Sequence, residues 1–211
     1  MANLVVRVWL PDRPGALGLV ASRIGAIGGD IVGVEVLERS ETIAVDEFAV
    51  VIGDPAVLPL LVREIEEVDG ASVEEWRTVE SFPDARLDAL ASAEALCAAA
   101  PDVRLTVLAE RTRDEFEAEW VAVVRDERVL AAAGPSLPAS SVLGALAAGT
   151  SASPTVVGGE TGPDDLAVAP LPTRRAVLLM SRSGHPFRRR ERRQLLALAR
   201  IADRLDAPAG S

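Results

Sequence analysis

The sequence is poor in the side chains that build disulfides, metal sites and nucleophilic catalytic sets. Its 211 residues include one cysteine, Cys97, one histidine, His185, and neither tyrosine nor lysine, so all 22 basic residues are arginines. A single cysteine excludes an internal disulfide and any multi-cysteine metal centre. Nucleophilic catalysis also needs a set of partner side chains, which one cysteine and one histidine rarely supply. We therefore expect no enzyme activity, no catalytic residues, no metal and no cofactor, with Cys97 buried and His185 exposed in a turn.

Aromatic residues and long apolar runs are scarce as well. Aromatic residues make up 3% of the chain and hydrophobic residues 49%, so a core must be built mainly from valine, leucine, isoleucine and alanine. No apolar run approaches the ~20 residues that cross a bilayer. The first residues also lack the basic segment followed by a long apolar stretch that is typical of a signal peptide. We expect a cytoplasmic globular protein with no membrane partner.

Negative charge is concentrated in the first part of the chain. Residues 1–80 carry 15 acidic residues against six arginines, a net charge of −9, whereas residues 81–211 carry −1. Such a charge repels phosphate groups at long range, so we expect no nucleic-acid partner. The arginine run at 188–193 would suit a phosphate or the solvated start of a helix. Because no aromatic residues interleave with it, the pattern favours the solvated helix.

Periodicity in residues 1–80 predicts alternating strands and helices. Pro14 suits the first turn of a helix, and Gly28-Gly29 suits a helix end. The predicted elements are a strand over 4–10, a helix over 16–27, strands over 31–37 and 43–52, a helix opening at Asp54-Pro55, and a strand over 72–79. This β-α-β-β-α-β order is that of a ferredoxin-like fold. The fold class is therefore α+β.

The pattern breaks at residues 81–84, which we predict to be a linker between a domain at 1–80 and a second domain at 85–206. Residues 207–211 form a tail. Within the second domain we predict an antiparallel central sheet, with Leu87, Leu90 and Leu96 facing inward from an alanine-rich first helix. The predicted elements are a helix over 85–100, a strand or helix end over 103–108, a hairpin of strands over 120–124 and 129–133, a helix over 139–148, a mobile loop over 149–165, strands over 166–170 and 176–180, and a helix from about 187 to 206.

Two motifs in the first domain carry a family resemblance. Asp12-Arg13-Pro14-Gly15-Ala16-Leu17 joins the first strand to its helix, and Gly28-Gly29-Asp30-Ile31 follows that helix. With the element order around them, residues 3–80 resemble an ACT domain, a small regulatory fold. A helix N-terminus can seat a carboxylate. The resemblance implies an amino acid bound between two subunits, with Asp12, Gly15, Ala16 and Leu17 of one subunit facing Asp30 and Ile31 of the other.

The acids at positions 12 and 30 leave two alternatives open. Amino-acid-binding ACT domains often carry amides at these positions, so the extra negative charge here either disfavours an ordinary zwitterion or favours a ligand with a second amine. Alternatively, Asp12 or Arg13 only caps the helix, Asp30 only follows a turn, and the domain dimerises without a ligand.

Residues 85–206 resemble a GAF domain, and the resemblance rests on the closing part of the domain. The matching residues are Asp165–Pro172, Ala176–Met180 and Ser181–Phe187, followed by a long helix. The Asn-Lys-Phe-type signature of members that bind cyclic nucleotides is absent. Together the two resemblances predict a non-enzymatic homodimer that binds a small metabolite, an amino acid by preference, and signals through the second domain. The alternative is an interaction module whose two domains serve dimerisation and partner assembly without a ligand.

Overall fold

The computed structural model describes residues 1–159 and 162–206. The chain forms two compact units, Met1–Pro83 and Asp84–Ser211, and the division falls inside the predicted linker at 81–84. The predicted tail at 207–211 and two residues of the predicted loop at 149–165 lie outside the described residues. No helix in the described ranges is both long and apolar enough to cross a membrane.

The first unit contains a four-stranded antiparallel sheet and two α-helices. The elements are β1 (Ala2–Pro11), α1 (Ala16–Ala26), β2 (Asp30–Arg39), β3 (Ile43–Ile52), a 3-10 turn (Pro55–Val57), α2 (Leu58–Glu66) and β4 (Ser72–Val79). The strand order is β2-β3-β1-β4. The predicted β-α-β-β-α-β order of elements is confirmed.

The core of this unit lies between the sheet and the two helices. Strand side chains alternate between faces, and the register places Val6 opposite Phe48, with both completely buried. Ile24 of α1 and Ile65 of α2 pack into the same cluster. Each such side chain contributes about 1.5–3 kcal/mol by leaving water, so this face of the sheet holds α1 in place above β1 and β3.

The second unit contains another four-stranded antiparallel sheet. Its elements are α3 (Ala85–Ala98), α4 (Arg104–Glu115), β5 (Trp120–Arg125), β6 (Arg128–Ala133), α5 (Ser140–Ser151), α6 (Pro154–Val157), β7 (Leu166–Leu171), a 3-10 turn (Pro172–Arg174), β8 (Ala176–Ser181) and α7 (Arg189–Leu205). The strand order is β6-β5-β8-β7. One apolar cluster joins the sheet to α3, α4 and α7, and another joins it to α5. The described chain is thus a mixed α+β protein with two antiparallel sheets and seven α-helices.

The prediction for the buried face of α3 is wrong in two of its three leucines. Leu96 is buried, but Leu87 and Leu90 are 61% and 69% exposed. Cys97, which we expected to be buried, is exposed. Because α3 carries alanines on every side of the helix, its apolar residues do not mark a single buried face. The buried face instead includes Ser92, whose hydroxyl donates to Glu115 of α4 at 2.5 Å.

The structure also decides between the two alternatives for residues 103–108 and corrects the prediction for residues 149–165. The sequence pattern of residues 103–108 fits either a strand or a helix end, and from Arg104 these residues form the start of α4. The predicted loop at 149–165 is partly wrong, because α5 continues to Ser151 and Pro154–Val157 forms a short helix. Pro154 lies in the first turn of that helix, where a missing amide hydrogen costs nothing.

The arginine run at 188–193 is only partly a solvated face. Arg188 and Arg192 are buried, with 6% and 4% of their surface exposed, whereas Arg189 and Arg193 are exposed. The prediction of a solvated run is therefore wrong for two of its arginines. His185, in the turn before this run, is exposed as predicted.

Candidate ligand-binding site

The loop between β1 and α1 holds four of the six predicted site residues. The Asp12 amide donates to the Thr42 carbonyl at 2.9 Å, which ties the loop to the β2–β3 hairpin. Gly15 has φ +91°, a conformation that glycine adopts without strain as the chain turns into α1. Ala16 is buried beneath this turn, while Gly15 and Leu17 are exposed. The start of α1 is therefore reachable from solvent.

No side chain of the described residues caps the N-terminus of α1. The alternative in which Asp12 or Arg13 serves as a helix cap is therefore wrong. The first amides of a helix have no acceptor within the helix and carry partial positive charge. With no side-chain acceptor in place, this end of α1 suits an anionic group.

Asp12 forms an ion pair with Arg39, the last residue of β2. Its two carboxylate oxygens accept from Nε of Arg39 at 2.7 Å and from Nη2 at 2.8 Å. Hydrogen bonding from Arg39 is the main reason that the pKa of Asp12 is lowered. The Arg39 side chain is 71% exposed and that of Asp12 is 17% exposed. The pair thus presents a guanidinium and a carboxylate side by side at an accessible edge.

A second carboxylate, that of Asp46 in β3, lies near this pair. Asp46 is only 5% exposed, and its Oδ1 atom has no hydrogen-bond partner among the described residues. Burial raises the pKa of Asp46, the charge of Asp12 raises it further, and Arg39 opposes both. The charges of Asp12 and Arg39 therefore both act on the pKa of Asp46.

Asp30 and Ile31 lie at the other end of α1. The helix spans 11 residues, about 16 Å at 1.5 Å per residue, and the turn at Gly28 and Gly29 follows it. Asp30 begins β2, where it pairs with Val51, and it is exposed. One copy of the chain therefore does not bring Asp30 together with Asp12, so a pocket using both needs a second copy.

Sequence reasoning missed Arg39 and Asp46. Arg39 gave no signal, because its partner is 27 residues away in the chain. Asp46 did give one, since alternate residues of β3 face the core and an acid at such a position is unusual. The inward-facing neighbours of Asp46 in this row are Ala44, Phe48, Val50 and Ile52.

The residues with catalytic or metal-binding chemistry lie elsewhere. Cys97 is in α3 and His185 follows β8, both in the second unit. In the part of the chain that the structure describes, no three histidine, cysteine, aspartate or glutamate side chains are grouped so as to hold a metal ion. No protein-family model matches the chain, and no curated protein matches it either.

Proposed function

We propose that this chain is a cytoplasmic, non-enzymatic regulatory protein of the ACT type that binds an α-amino acid at the Asp12–Leu17 loop. The observation that carries the proposal is the accessible Asp12–Arg39 pair beside a helix N-terminus without a side-chain cap. A free amino acid carries one ammonium and one carboxylate, and this arrangement offers a partner for each.

The resting ion pair leaves bonding capacity for both ends of such a ligand. A carboxylate has about four acceptor positions, so Asp12 can accept from an ammonium while still bound to Arg39. Arg39 uses Nε and Nη2 for Asp12, and its third nitrogen, Nη1, can donate to the ligand carboxylate. The first amides of α1 add a second set of donors for that carboxylate.

The edge strand β2 supports pairing between two copies. It lies at the end of the sheet order, and Val34 and Val36 are 42% and 51% exposed along it. An apolar edge strand invites a second strand, and two-fold pairing is the commonest form of self-association. We expect Val34→Lys to convert a dimer to a monomer in light-scattering measurements. Thr78→Lys on the opposite edge strand β4 is the matched control and should leave the dimer intact.

The mechanism follows from differential binding. An amino acid held between the loop of one copy and Asp30-Ile31 of another would favour the arrangement of copies in which both halves meet. The second unit would then report that arrangement to a partner. Its order of hairpin, helix, strand, turn, strand and long helix supports the GAF-like assignment.

A thermal-shift screen against the twenty amino acids tests the proposal. A ligand at 100 times its dissociation constant adds about 2.7 kcal/mol, which is about 10–20 °C for a unit of this size. Asp12→Ala and Asp30→Ala should abolish the shift, while Glu66→Ala, which removes an exposed acid of α2, should preserve it. A stable dimer with no shift from any amino acid would refute ligand binding and favour the interaction module instead.

A further inference from the structure

The charges around the proposed site do not balance. Asp12 and Arg39 neutralise each other through two short hydrogen bonds. Asp46 is left over, and its Oδ1 is shielded from solvent without a donor from the described residues. An unpaired buried carboxylate is costly, and an apolar residue at this position would avoid that cost. Asp46 therefore differs from the exposed acids of this unit, because it is a buried carboxylate with an unsatisfied oxygen.

The position of Asp46 connects it to the same site. In β3 it pairs with Val8 on one side and Val36 on the other. These three residues lie in the half of the sheet nearer to the Asp12 loop, which follows the end of β1 at Pro11. Ala44, two residues before Asp46 and on the same face of β3, pairs with Arg39, and the charges of Asp12 and Arg39 both influence the pKa of Asp46.

We infer that the site selects an amino acid with a basic side chain, whose second cationic group binds Asp46. The inference rests on the proposed function, and it specifies the ligand class of that same site. The ligand's α-carboxylate meets Arg39 and the α1 N-terminus, its α-ammonium meets Asp12, and its side-chain cation supplies the counterion that Asp46 lacks. The two cationic groups of the ligand then face Asp12 and Asp46, and its carboxylate faces Arg39.

Calorimetric titration of the full chain with matched ligands tests the inference. Lysine and norleucine have nearly the same length but differ in the terminal amine, and arginine and citrulline differ in the charge of a similar planar group. We expect lysine or arginine to bind the wild-type chain at least tenfold more tightly than its uncharged counterpart. The comparison requires no variant, so a folding defect cannot obscure it.

Asp46→Asn provides the second arm, with Glu66→Gln as the matched control. The variant should reduce affinity for the basic amino acid about tenfold and leave affinity for the uncharged counterpart unchanged, while the control should change neither. Equal binding of charged and uncharged ligands by the wild-type chain would overturn this inference and leave amino-acid binding intact. Tight binding of the basic ligand to Asp46→Asn would overturn it as well. Absence of binding by any amino acid would overturn both proposals.

Discussion

Arg192 of α7 is a structural anchor of the second unit, and its removal offers a direct test of the packing. The residue is 4% exposed, and its guanidinium donates to three backbone carbonyls, those of Phe187 at 3.2 Å, Leu166 at 2.8 Å and Pro163 at 2.6 Å. These bonds join the start of α7 to the start of β7 and the segment before it. We expect Arg192→Met, which retains much of the apolar stem, to destabilise the unit strongly.

The magnitude follows from the acceptors that would be left behind. The bonds to Phe187 and Leu166 are buried, and a buried acceptor without its donor costs about 1–3 kcal/mol. Losing two such bonds and part of a third gives about 3–5 kcal/mol. For a unit of this size that corresponds to a fall in melting temperature of about 10–20 °C.

Fluorescence can follow the second unit alone, because Trp120 is its only tryptophan. With Trp9 and Trp76 of the first unit replaced by phenylalanine, urea unfolding monitored at Trp120 reports the free energy of the second unit. The matched control is Arg189→Ala, an exposed arginine of the same run. Its removal from a helix N-terminus should leave stability unchanged or slightly raised.

A loss below about 1 kcal/mol for Arg192→Met would refute the reasoning, because surface substitutions commonly produce effects of that size. Equal losses for the Arg192 and Arg189 variants would refute it too, since the run would then act through its net charge. Only a large difference between the two variants supports a role for the buried carbonyl contacts.

The remaining predictions concern two aspartates with opposite pH behaviour. Burial by itself would raise the pKa of Asp206, but hydrogen bonds from Arg174 and Arg104 outweigh it and the pKa is lowered. The stabilisation is therefore present above pH ~4 and lost as the pH falls through the folded-state pKa. Asp206→Asn should cost about 3–5 kcal/mol at pH 7 and progressively less in acid, by urea unfolding. Asp46 has a raised pKa, so its favourable contribution is present below pH ~4 and lost as the pH rises through the folded-state pKa. Asp46→Asn should consequently gain stability over the wild-type chain as the pH rises towards 7, in urea unfolding monitored at the first unit's tryptophans.

A pH-independent cost of Asp206→Asn would contradict the first of these two predictions. The second would be contradicted if Asp46→Asn were less stable than the wild-type chain at pH 7. That result would mean that the carboxylate is well solvated or that it has a donor in solution.

The fold was predictable wherever one periodicity dominated a segment. In the first unit, β1 and β3 are apolar over most of their length, Val20 and Ile24 recur at helical spacing in α1, and Gly28 at positive φ follows that helix at the expected place. Prediction was weaker in α3 and at 149–165, where alanine, serine and glycine are abundant. Small residues carry little information about which face is buried, because they fit either face. The exposed Leu87 and Leu90 were misassigned for this reason.

The candidate site was predictable only in its backbone part. Pro14 and Gly15 indicate a strand-to-helix turn by their own conformational preferences, and this is what positions the loop beside the α1 N-terminus. The charged partners depend on strand register instead. Asp12 reaches Arg39 because the β2–β3 hairpin pairs Arg39 with Ala44, which in turn pairs with Leu10 near the end of β1, a contact between residues 27 apart. Local patterns cannot encode such a pairing.

The exposure of Arg39 distinguishes it from the arginines that hold the fold together. Arg7, Arg104 and Arg182 also contact carboxylates, but their side chains are only 7–8% exposed, and Arg104 and Arg182 donate to several backbone carbonyls as well. If these arginines moved away, the buried carboxylates and carbonyls that they contact would lose their hydrogen-bond donors. Arg39 is 71% exposed, and surface ion pairs contribute little to stability. A ligand can therefore rearrange the Asp12–Arg39 pair at small cost, as a binding site requires.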